Sequence, residues 1–229
     1  MKPTVTAMCA ISLLVLSSSP ATATDATTAP GKASPVETKS AGEGITEYPS
    51  LQAAERAASA EPGGIVAYAP VSGNALVIAE QPGAHTATPP APMAIAAFSV
   101  NCPTSAPYSR EVTHYNAAYL GTTYLRCGNA NGGYRHISSQ HATQWQAKLN
   151  KVGSTANWAQ FMIWVSRQTF EHPYSGYPKN RPGDKLCYST PVILRTTDGK
   201  INADFNPTVI TGQASRFHIT SYPTRWANC

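Results

Sequence analysis

Acidic side chains are scarce in this 229-residue sequence, with twelve Asp and Glu against seventeen Lys and Arg. From residue 101 onward only Glu111, Glu171, Asp184, Asp198 and Asp204 occur. Several sit in apparent turns, so hydrolysis by two facing carboxylates has few candidates. There is no H-E-x-x-H, no G-x-S-x-G and no Walker loop, which removes the zinc-peptidase, serine-hydrolase and phosphate-loop chemistries that those motifs carry. A C-x-x-C pair is also missing, so neither a zinc ribbon nor a dithiol redox motif is indicated. Nothing in the sequence calls for a cofactor or a metal.

Long apolar runs are equally rare. One, AMCAISLLVL, follows Met1 and Lys2 and is succeeded by the small-residue triplet Ala21-Thr22-Ala23. It is too short to span a bilayer and reads as a secretory signal peptide over residues 1–23, cleaved near Ala23. A secreted, extracellular protein without stable membrane insertion is therefore expected, as a monomer. Cys9 falls in the removed segment. Cys102, Cys127, Cys187 and Cys229 remain, an even number suited to two disulfides in an oxidising compartment, with three connectivities open.

Charge and composition divide the remainder. Residues 24–100 carry three basic and seven acidic residues and are rich in Ala, Pro and Thr, a composition that buries too little apolar surface to offset ordering entropy. This segment is expected to be a flexible acidic stalk or pro-segment, its middle able to form a short helix and a small hairpin. Residues 101–229 carry thirteen basic and five acidic residues and hold most of the aromatics. Such a basic domain suits a polyanionic partner such as nucleic acid.

Within 101–229 the pattern predicts an α+β domain. A helix follows Gly132 and Gly133 and ends at Gly153. A second is capped by Ser154 or Thr155 and buries Trp158, Phe161, Met162 and Val165 at helical spacing. Antiparallel β hairpins close the chain, one around Asp198-Gly199 and one around GQAS.

Six side chains are candidates for chemistry. His136 and His141 lie five residues apart, about 140° around a helix of 3.6 residues per turn, so they are expected to face different directions. His141, Trp145 and Lys148 share a face. In RFHITSYPTRW, strand alternation would put His218, Thr220 and Tyr222 on one side of a sheet. A helix bearing His and Lys beside a strand bearing His, Thr and Tyr supplies the parts for RNA cleavage. A base takes the 2′-hydroxyl proton, an acid protonates the leaving 5′-oxygen, and cations or hydroxyls stabilise charge on phosphorus.

HISSQH, Lys148, STANWAQF and TSYP occur in this order, and together they resemble the bacterial RNase A-like toxin domain found at the C-termini of CdiA-type contact-dependent inhibition proteins. The resemblance covers roughly residues 110–226. It implies an RNase A-like fold, metal-independent cleavage of RNA by 2′-O-transphosphorylation, and a cognate immunity protein as a partner besides the RNA substrate. By resemblance His141, Lys148, Thr220 and Tyr222 are the catalytic positions, with His136 in support; His218 is added from strand alternation alone. Lys148 stands where that family carries arginine, and Lys151 or Arg135 are alternatives for the cation. The T-x-Y-P ending is shared with EndoU and barnase-like ribonuclease toxins, the alternative enzyme reading. A non-catalytic secreted polyanion-binding protein is the alternative outside catalysis.

Overall fold

A computed structural model of the chain describes residues 45–59, 64–78, 100–200 and 202–229. Residues 1–44, and with them the expected signal peptide, lie outside the described residues. In chain order the elements are β1 (Ile45–Tyr48), α1 (Leu51–Ala58), β2 (Ile65–Tyr68), β3 (Ala75–Ile78), β4 (Glu111–Ala117), β5 (Gly121–Arg126), α2 (Tyr134–Lys151), α3 (Trp158–Glu171), β6 (Lys179–Arg181), β7 (Lys185–Tyr188), β8 (Ile193–Thr196), β9 (Asn206–Gly212) and β10 (His218–Thr224). The class is α+β with antiparallel pairing between all the named strands. Among the described residues no helix is long and apolar enough to cross a membrane.

The sheet that matters for the site has the order β10-β9-β7-β6. A second sheet, β1-β3-β2-β8, contains three strands from the segment expected to be a flexible stalk. The short helix and small hairpin expected in the middle of that segment are α1 and the β2–β3 pair, and these elements, with β1, are packed because their short apolar runs have somewhere to go. Ile45, Ile65, Leu76 and Ile78 are buried in the same core cluster as Trp145, Phe161, Phe170 and Val209, β2 pairs with β8 along Ile65–Tyr68, and Arg195 of β8 pairs with Glu55 of α1. The hairpin was expected from the sequence; its pairing with β8 was not.

The two helices and the GQAS hairpin, β9–β10, form as expected, whereas the Asp198-Gly199 turn is flanked only by the bridges Arg195–Asn202 and Val192–Phe205, and β8 pairs with β2 instead. The N-cap of α3 is Asn157, whose side chain accepts from the Ala159 amide at 2.8 Å, while Ser154 Oγ accepts from the Ala156 amide one turn earlier. Phe161, Met162 and Val165 are buried as their spacing requires, while Trp158, in the first turn, is only partly buried against the core. The β4–β5 hairpin was not read from the sequence. Of the three connectivities, the chain adopts Cys102–Cys127 and Cys187–Cys229.

Candidate active site

Helix α2 is held along the free edge of β10. At its start Gly133 takes φ +86°, a left-handed conformation that disfavours side chains, and its amide donates to the Ile219 carbonyl at 2.9 Å. A Cβ on Gly132 would meet the Phe217 ring at 2.9 Å, so the Gly-Gly pair permits the close approach of helix to strand. Three turns on, Trp145 Nε1 donates to the Ser221 carbonyl at 3.1 Å. That carbonyl belongs to an edge strand and would otherwise be a buried, unpaired acceptor.

This docking sets His141 against Tyr222, with ring centroids 4.7 Å apart and planes 28° apart. His136 meets His141 edge to face at 5.6 Å. The expectation that the two histidines diverge is corrected here. The helix is continuous from Tyr134, but side chains tilt toward the helix N-terminus, and a 140° separation still lets two imidazoles at the first turns touch.

Each imidazole is anchored through Nδ1. His136 Nδ1 lies 2.8 Å from the Ala130 carbonyl and His141 Nδ1 lies 3.2 Å from Gln144 Oε1. Both partners are acceptors, so Nδ1 carries the hydrogen and Nε2 is left with a lone pair in the neutral ring. Partial burial lowers the His141 pKa below its usual 6.5; the Gln144 hydrogen bond opposes this and the neighbouring His136 adds to it. His141 is thus held toward its neutral, base-competent form.

The strand is where sequence alternation misleads. Between His218 and Thr220 the β10–β9 register slips: His218 pairs with Thr211 but Thr220 pairs with Ile210. Such an irregularity reverses the facing of everything on one side of it. His218 consequently joins the core side, with its ring 5.6 Å from that of Tyr115 and 5.1 Å from that of Phe170. It is 0% exposed, neither ring nitrogen has a hydrogen-bond partner, and burial drives its pKa down to about 3 against the weaker pull of the Thr220 backbone. A neutral imidazole enclosed by aromatic rings does not reach the His141 side, so the structure separates His218 from the other candidates. Ser221 shares its direction, with Oγ 3.4 Å from Ser166 Oγ of α3.

Thr220, Ser221 and Tyr222 pair in regular register with Ile210, Val209 and Thr208, so Thr220 and Tyr222 do share a face. Thr220 is 8% exposed, and its hydroxyl is buried without a partner. Lys148 continues the His141 face two turns along, with Nζ 5.1 Å above the Phe205 ring. Burial lowers its pKa, Lys151 adds to this and Asp204 opposes it. Arg135, an alternative for the cation, is committed elsewhere: its guanidinium donates to the carbonyls of Gly128, Pro103, Thr104 and Ala106.

The structure therefore brings together His136, His141 and Tyr222, with Thr220 on the same strand face and Lys148 on the same helix face. Gln144 and Ala130, which orient the imidazoles, were not singled out from the sequence. Gln144 stands three residues after His141, a spacing that places two helical side chains in contact; the Ala130 carbonyl left no sequence signal. Searches of protein families, curated proteins and solved structures returned no match to the chain.

Proposed function

We propose that this protein is a secreted, metal-independent endoribonuclease of RNase A-like fold, cleaving RNA by attack of the 2′-oxygen on the adjacent phosphorus and expulsion of the 5′-oxygen. The observation that carries the reading is the group formed by His136, His141 and Tyr222, with ring separations of 5.6 Å and 4.7 Å, on a domain with thirteen basic and five acidic residues.

His141, kept neutral by partial burial, takes the 2′-hydroxyl proton on Nε2. His136 delivers a proton from Nε2 to the departing 5′-oxygen, its ring fixed by the Ala130 carbonyl. Histidine suits both proton-transfer roles near neutral pH. The Tyr222 phenol stacks on His141 and offers its hydroxyl to the phosphate or base. Thr220, its hydroxyl buried on the same strand face, helps position Tyr222, and Lys148 adds positive potential to the growing charge on phosphorus. His218 has no part in this scheme.

The 2′-hydroxyl is the nucleophile, so the test is a pair of matched single strands differing only in the sugar. The full chain cuts the RNA strand and leaves the DNA strand intact. Cleavage of both strands, or salt-sensitive binding of RNA with no cleavage, contradicts the proposal; the second outcome favours a polyanion-binding protein.

A further inference from the structure

Beyond the histidine group, the same face of the sheet carries a second feature that the cleavage scheme does not use. The pairings Lys179 with Cys187, Cys187 with Ile210, and Ile210 with Thr220 run straight across β6, β7, β9 and β10. Asn206 pairs with Thr224, one strand repeat after Tyr222. Directly paired residues point to the same side, so Lys179 and Asn206 lie on the Tyr222 face. They border a cavity of about 470 Å³ whose walls include Tyr174, Tyr177 and Trp226.

The walls are unusual for a monomer surface. Trp226 is 74% exposed and Tyr174 54% exposed, and each of two rings has a cation against it: Arg225 lies 5.8 Å from the Trp226 centroid, and Lys179 Nζ lies 4.9 Å from that of Tyr177. The segment bearing Trp226 is fixed rather than loose. Cys229 is bonded to Cys187, the Asn228 amide donates to Thr208 Oγ1 at 2.8 Å, Arg181 donates to the Asn228 carbonyl, and Asn206 donates to the Arg225 carbonyl. Exposed rings held rigidly beside cations form a platform for planar, anion-bearing ligands. Bases of a single strand stack on such rings while the phosphates meet the cations.

We propose that this cavity is a base-stacking subsite that seats a nucleotide flanking the scissile bond of single-stranded RNA, one position along the strand from the His141–Tyr222 pair. The inference rests on the ribonuclease reading for its biological ligand, but the stacking itself is independent of turnover. Two strand residues and one inter-strand step separate Tyr222 from Asn206, roughly 8 Å between their Cα atoms, within the reach of an adjoining nucleotide. Duplex RNA, whose bases are already stacked, is excluded from the subsite.

A short single-stranded oligodeoxynucleotide, which has no 2′-hydroxyl to be activated, isolates binding from cleavage. Anisotropy titrations of the full oxidised chain compare it with an abasic strand of equal charge. The base-bearing strand is expected to bind about tenfold tighter or more, and Tyr174→Ala with Trp226→Ala is expected to erase that difference while the far-UV circular dichroism stays that of the native chain. Equal binding of the two strands by the native chain, or a preference retained in the double variant, overturns the subsite. A native chain that shows the base preference but cleaves no RNA contradicts the ribonuclease reading and leaves the subsite standing.

Discussion

The imidazole of His141 and the phenol of Tyr222 stack at 4.7 Å, joining helix α2 to the edge strand β10 across the face where chemistry is proposed. Partial burial lowers the His141 pKa, and Tyr222 is one of the rings packed against it. Several measurable consequences depend on it.

Loss of either imidazole removes one proton carrier. His141→Ala and His136→Ala are each expected to lower kcat/KM for RNA by about 10²- to 10⁴-fold. Both side chains are partly exposed, so circular dichroism should show a native fold. Activity within a few-fold of the native chain in either variant would remove that residue from the mechanism.

The acid limb of the pH profile reports the base. Activity must fall as pH drops through the His141 pKa, which lies below 6.5. Tyr222→Leu removes the aromatic partner and the phenol, and Tyr222→Phe keeps the stack. The acid limb of kcat/KM is expected to move up toward 6.5 in the first variant and to stay in place in the second. An acid limb that is the same in the leucine variant would show that stacking does not tune His141.

His218 governs stability instead. Its pKa is about 3 in the folded chain and about 6.5 in an unfolded one, so the unfolded state binds the extra proton between those values. Stability should be fully present above pH 6.5 and decline as pH falls from 6.5 toward 3, by at most ~5 kcal/mol from this residue. His218→Phe, which keeps a ring against Tyr115 and Phe170, should flatten this part of the curve in urea unfolding and leave RNA cleavage intact. Loss of cleavage in a folded His218→Phe variant would return His218 to the site.

Residues 45–78 should prove inseparable from the domain that follows. Removing everything before residue 101 strips β2 from β8 and takes Ile45, Ile65, Leu76 and Ile78 out of the shared core. Each large buried aliphatic contributes about 1.5–3 kcal/mol, so the shortened chain is expected to unfold or aggregate. A shortened chain with the thermal midpoint of the full one would contradict this.

Much of this site was legible because it is carried by short-range spacing. Gly132 and Gly133 marked the start of α2, His141 and Lys148 fell on one helix face, and Thr220 and Tyr222 kept the two-residue period of a strand. What escaped was set by contacts between distant segments. The slip between His218 and Thr220 comes from pairing with β9, and no local pattern marks it. His136 and His141 meet because of side-chain tilt, which angular spacing ignores. The partner of the β2–β3 hairpin also escaped: β2 pairs with β8, more than a hundred residues away.

The most direct measurement of the central claim is the chemistry of the ends produced when the full oxidised chain is incubated with RNA in excess EDTA. The account requires new 2′,3′-cyclic phosphate and 5′-hydroxyl termini, lost in His141→Ala. Intact RNA, cleavage abolished by EDTA, or 5′-phosphate ends would contradict it.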